Sequence, residues 1–117
     1  MHEPEHDRIA RALVSGAGGT IRFAYLFGST AAGRGTADSD VDIAVDAGDP
    51  LTWETRTRVA EAVTAVTGRE VDVVDLATAD PVIRMQVLRH GRVLVDADRP
   101  ARHRFEVRTL SEYLDLK

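Results

Sequence analysis

The chain has 117 residues, enough to bury one hydrophobic core but not two. A formal net charge of -4 argues against a general nucleic-acid binder, and the absence of Cys excludes disulfides, thiolate catalysis and zinc–thiolate sites. No apolar run reaches the length of a membrane span, and Met1–Asp7 carries no apolar signal core, so the expectation is a single cytoplasmic domain over residues 1–117 without a membrane contact.

The periodicity alternates between helical and extended. Ile9, Ala12 and Leu13 are spaced for a helix over roughly 7–15, which Gly16-Ala17-Gly18-Gly19 ends. Ile21-Arg22-Phe23-Ala24-Tyr25-Leu26-Phe27 is aromatic and β-branched, a buried strand closed by Gly28. Ser29 is placed to cap a short helix, and 33–39 then form a loop. Asp40-Val41-Asp42-Ile43-Ala44-Val45 opens by alternating acidic and apolar residues, as a strand with one face on the core. Asp49-Pro50 starts a helix to about Thr67, with Val59, Ala62, Val63 and Val66 on one face and Gly68 at its end. A third strand covers 70–76, a helix begins at Asp80-Pro81 and stops near His90-Gly91, and a fourth strand covers 92–96. Val107, Leu110 and Leu114 give the spacing of a terminal helix from about Pro100. The order αβαβαβαβα predicts an α/β (α+β) fold, a small mixed sheet of about four strands with helices packed on it.

One spacing stands out: Gly28-Ser29, ten residues, then Asp40-Val41-Asp42. Carboxylates at i and i+2 of an extended segment point to the same face. Bare, they repel, and one is driven to take up a proton. A hard cation between them removes that conflict, and Mg²⁺ takes oxygen ligands while keeping substrate phosphates among them. A Gly-containing turn after a strand supplies backbone N–H groups to phosphate. The four positions match by chance in about one chain of this length in a thousand. They read as a metal-plus-triphosphate site.

With Ser39-Asp40-Val41-Asp42-Ile43-Ala44-Val45, this element resembles the signature of the polymerase-β-type nucleotidyltransferase superfamily. The short length is similar to the minimal nucleotidyltransferase antitoxins paired with HEPN-domain toxins, as are Val71-Asp72-Val73-Val74-Asp75-Leu76, Gly91 before Val93-Leu94, and Phe105 with Tyr113-Leu114-Asp115. The resemblance implies that Asp40 and Asp42 bind the metal ions, two Mg²⁺, that hold the triphosphate of ATP. It implies that Asp72 ligates the catalytic metal and helps deprotonate the attacking hydroxyl, and that Gly28, Ser29 and Ser39 contact the nucleotide. Glu70 and Asp72 share a strand face that Asp75 does not, which makes Asp75 a strand-end residue rather than a third ligand. Many relatives carry a basic residue soon after Gly-Ser. Thr30-Ala31-Ala32 stands there, and Arg34 becomes the phosphate contact.

The implied activity is transfer of AMP from ATP to a tyrosine of a HEPN ribonuclease toxin, within a hetero-oligomer. The alternatives are an antitoxin that neutralises by binding alone and a small-molecule nucleotidyltransferase, the latter disfavoured because no second domain shapes an acceptor pocket. His2, His6, His90 and His103 have no metal-ligand spacing, and His90 suits a helix C-terminus. Trp53 is expected as a packing anchor. Arg99, Arg102, Arg104 and Arg108 make a basic stretch that is either a solvated helix face or part of a partner surface.

Overall fold

The computed structural model describes residues 4–28 and 39–115. Helix α1 spans Glu5–Gly16, strand β1 Phe23–Phe27, and strand β2 Val41–Asp46. Helix α2 (Trp53–Thr67), strand β3 (Val71–Asp75), helix α3 (Pro81–His90), strand β4 (Arg92–Asp96) and helix α4 (Arg99–Asp115) follow. The short helix expected after Ser29 lies outside the described residues.

The strands form one mixed sheet in the order β3-β2-β1-β4. β1 runs antiparallel to β2 and to β4, while β2 and β3 are parallel. The parallel pair requires a crossover, which α2 provides. Helices cover both faces, and this explains the uninterrupted apolar run of β1: Phe23, Ala24, Tyr25 and Leu26 are all buried. Ala24 and Leu26 with Val41, Ile43 and Val45 pack against Ile9 and Leu13 of α1 and Val59 and Val63 of α2. Phe23, Tyr25 and Ala44 pack on the opposite face with Val87 of α3 and Ala101 of α4. Strand alternation therefore puts Asp42 and Asp46, flanking Ala44, on the α3–α4 face of β2.

Local signals set the helix ends, with one correction. Asp80 caps α3 through Ile83 N at 2.9 Å, with Pro81 in the first turn, as expected. Gly68 closes α2 at φ 69°. The start of α2 is not Asp49-Pro50 but Thr52, whose hydroxyl accepts from Thr55 N at 3.1 Å. The buried Asp75 carboxylate takes Leu51 N at 2.8 Å and Ala77 N at 3.0 Å, and so holds the approach to the helix non-helical. This is the strand-end role expected of Asp75.

One expectation about packing fails, and the terminal helix, present as expected, packs by a different stripe from the one that marked it. Trp53 is 75% exposed rather than an anchor, because the inward face of α2 is taken by Val59 and Val63, which leaves the first turn at the solvent edge. On α4, Val107 (70% exposed), Leu110 and Leu114 form a stripe at helical spacing that faces away from the core. The helix docks instead through Ala101, Phe105 and Thr109, also spaced by one turn, with Phe105 against the rings of Phe23 and Tyr25 at 5.4 and 6.0 Å.

Candidate active site

The site forms at one end of the sheet, where β1 finishes and β2 and β3 begin. Parallel pairing sets Asp42 directly beside Asp72, and antiparallel pairing sets Phe27 opposite Asp42. Residues in register on a parallel pair point to the same face, so the Asp42 and Asp72 carboxylates share it. Asp40, two residues before Asp42, lies at the mouth of the strand and is exposed, as is Asp72, whereas Asp42 is half-buried. The expected trio is brought together.

Its electrostatics follow from that convergence. Burial first, then the Asp72 carboxylate, then that of Asp40, push the proton affinity of Asp42 above the ordinary aspartate range. These are three hard oxygen donors with an unresolved charge conflict, the donor set that suits Mg²⁺. Among the described residues no three acidic or histidine side chains enclose a metal ion by themselves.

Gly28 completes the geometry. Its φ of 79° is a left-handed conformation, and a Cβ built on it would meet Asp42 Oδ2 at 2.3 Å. The backbone at the end of β1 therefore lies directly against the Asp42 carboxylate, closer than any side chain permits. The sequence marked Gly28 as a turn directly after a strand, placed to offer backbone N–H groups to phosphate; its contact with Asp42 required the β1–β2 register. Ser39 and Asp40 precede β2 on the same side of the site. Ser29 and Arg34 lie outside the described residues.

The remaining candidates lie elsewhere. His90 ends α3 as expected, and His6 shares a hydrogen bond with the Val93 carbonyl at 3.2 Å. The basic stretch divides. Arg102, 13% exposed, grips Asp96 at 2.9 and 3.1 Å and Glu106 at 3.0 Å, while Glu106 also accepts the Tyr25 hydroxyl at 2.6 Å. Arg99 lies 3.6 Å from Asp96. Arg104 and Arg108 instead line a cleft with Arg22 and Arg84, a grouping that residues so far apart in sequence could not reveal.

Comparison with known proteins agrees with this geometry. The family model for polymerase β nucleotidyltransferases matches residues 13–100. The protein adenylyltransferase MntA of Shewanella oneidensis is 35% identical over 97 residues, covering 83% of this chain and 69% of that protein. A crystal structure of a toxin–antitoxin with AMP-PNP superposes at a TM-score of 0.83, with 32% identity over 95% of this chain and 88% of that one. A structure of tri-AMPylated Shewanella oneidensis HEPN toxin in complex with its MNT antitoxin gives a TM-score of 0.77, with 30% identity over 96% and 86% of the two chains. The clustered carboxylates, the glycine turn against them and these likenesses lead to one statement: the chain belongs to the polymerase β nucleotidyltransferase family.

Proposed function

We propose that this chain is an antitoxin that transfers AMP from ATP to a tyrosine hydroxyl of a cognate HEPN toxin and thereby inactivates it. The observation that carries this reading is the register of β2 on β3, which sets Asp42 beside Asp72 at the strand end where Gly28 closes in. The reading is supported by the 35% identity to an enzyme named as a protein adenylyltransferase.

Asp40 and Asp42 are the residues that would hold Mg²⁺ against the triphosphate, with Asp72 joining them for a second ion on the acceptor side. Bound there, the metal supplies charge stabilisation to the attacking and leaving oxygens. The toxin hydroxyl oxygen forms a bond to the α-phosphorus, the bond from that phosphorus to the bridging oxygen breaks, and pyrophosphate leaves with the electron pair. Asp72 helps withdraw the hydroxyl proton; it is exposed and sits on an edge strand, where a side chain of another protein can reach it. Gly28, with Ser29 and Ser39, offers backbone and hydroxyl donors to the phosphates, and Arg34 supplies positive charge to them.

Incubating the chain with Mg²⁺, ATP and the protein encoded beside it, followed by intact mass measurement, tests the proposal. The toxin should gain one or more AMP units on tyrosine; a toxin of unchanged mass refutes the assignment of acceptor. A second reading, neutralisation by binding alone, is favoured by the exposed Val107, Leu110 and Leu114 stripe on α4, which has the makings of a partner surface. Under that reading Asp40→Asn with Asp42→Asn still neutralises the toxin. Loss of neutralisation while the complex persists rules it out.

A further inference from the structure

The far end of the sheet carries a second concentration of charge, of the opposite sign. Arg22 precedes β1 and Asp46 ends β2, about 13 Å along the strand from Asp42 at 3.3 Å per residue. Between this end of the sheet and helices α3 and α4 lies a cleft of about 320 Å³, lined by Arg22, Arg84, Arg104 and Arg108 over a floor that includes Phe105. Among the described lining residues, four guanidinium groups face one carboxylate, Asp46, in a chain whose net charge is -4. Outside the lining, Asp49 and Asp98 lie near enough to act on Arg22, and Glu112 pairs with Arg84.

Two of these arginines are fixed by their neighbours. Arg22 commits Nε to Asp46 Oδ1 at 2.8 Å, and Asp46 Oδ1 also accepts Gly48 N at 2.9 Å. Arg84 donates Nε to the Leu76 carbonyl at 3.2 Å and Nη1 to Glu112 at 3.4 Å. A guanidinium has five donors, so each of these contacts orients the group without exhausting it. Arg104 and Arg108 are different: they stand one turn apart on α4, both exposed, with no ion pair between either and a carboxylate among the described residues. Like charges at i and i+4 cost a helix a few tenths of a kcal/mol, a repulsion that a bridging anion reverses.

We propose that this cleft is a second anion site, distinct from the carboxylate site, that binds phosphate groups. Several guanidinium forks converging on a concave surface match the oxygens of a multiply charged phosphate, which can accept from all of them, better than the single charge of a carboxylate. The volume is at the small end of ligand cavities, about 300 to 1,000 Å³, and suits a pyrophosphate-sized group, free or carried on a nucleoside. This inference does not rest on the transfer reaction, since no residue of the cleft belongs to the carboxylate site.

Calorimetric titration of the full chain in EDTA with inorganic phosphate, pyrophosphate and ADP tests it. Pyrophosphate should bind saturably at one site, more tightly than phosphate, with affinity falling as salt is raised. Arg104→Glu with Arg108→Glu should weaken it at least tenfold, whereas Asp40→Asn with Asp42→Asn should leave it within twofold. ADP binding as tightly as pyrophosphate identifies nucleoside-borne phosphate as the ligand; tenfold weaker binding identifies the free anion. If the charge reversal unfolds the protein, Arg104→Gln with Arg108→Gln serves the same comparison. Absence of saturable binding, wild-type affinity in the arginine variants, or loss of binding in the aspartate variant overturns the proposal.

Discussion

Gly28→Ala separates a backbone requirement from a catalytic one. Alanine at a φ of 79° costs about 1 to 2 kcal/mol from its left-handed backbone alone. Its methyl would also stand 2.3 Å from Asp42 Oδ2 and 3.2 Å from Asp42 Cγ, where ordinary contact begins at 3.4 Å, so the carboxylate has to retreat by about 1 Å. Displacement of a positioned group by about 1 Å can cost a factor of about 100 in rate. The backbone term lowers Tm by about 4 to 8 °C, taking about 4 °C per kcal/mol for a domain of this size. Gly68→Ala is the control: its φ is 69° and its added Cβ meets nothing within 4 Å, so it carries the backbone cost without the clash. The assay is AMP transfer per folded molecule, with thermal unfolding measured on the same samples. We expect both variants to melt lower and only Gly28→Ala to lose transfer, by about 100-fold. Equal transfer rates in the two variants would refute the role given to the Gly28–Asp42 contact.

Four further outcomes follow from the structure. Burial, Asp72 and Asp40 raise the folded-state pKa of Asp42, so the stability this group contributes is present below the ordinary aspartate value, about 3.9, and is lost as the pH rises through its raised value. Asp42→Asn, which cannot ionise, should therefore melt above the wild type at neutral pH without divalent cations, with the gap closing as the pH falls toward about 4; equal melting at neutral pH contradicts the charge conflict. Asp75→Ala strips the acceptor from Leu51 N and Ala77 N and should cost about 2 to 4 kcal/mol in urea unfolding while transfer per folded molecule persists. Asp72→Asn, at an exposed position, should change stability by no more than about 0.5 kcal/mol and abolish transfer, and the reverse pattern would exchange the two roles. Arg102→Met leaves Asp96 and Glu106 without their shared cation and should cost about 2 to 3 kcal/mol by the same unfolding measurement; a change below about 0.5 kcal/mol would place Arg102 among ordinary surface residues.

Much of the site was legible because its signals are local. A strand that ends in Gly28 and a strand that opens with Asp40 and Asp42 are visible from periodicity alone, and alternation separates Asp72 from Asp75 before any partner strand is known. The ends of α3 were equally readable, since Asp80 and Pro81 act on their own helix. The start of α2 was not, because Asp75, a residue distant in sequence, holds Leu51 outside the helix.

Sequence by itself determined which residues share a face and where each element stops, since side-chain direction repeats every two residues in a strand and every 3.6 in a helix. Only the tertiary structure decided what each face meets. Strand order and parallel register delivered Asp72 to Asp42, and the β1–β2 pairing pressed Gly28 against the same carboxylate. On α4 two stripes have helical spacing, and the fold chose Ala101, Phe105 and Thr109 because they fit beneath the aromatic face of β1, leaving Val107, Leu110 and Leu114 outside. The four-arginine cleft likewise exists only after β1, α3 and α4 converge. Pairing and docking depend on contacts between residues far apart in the chain, and local periodicity carries no record of them.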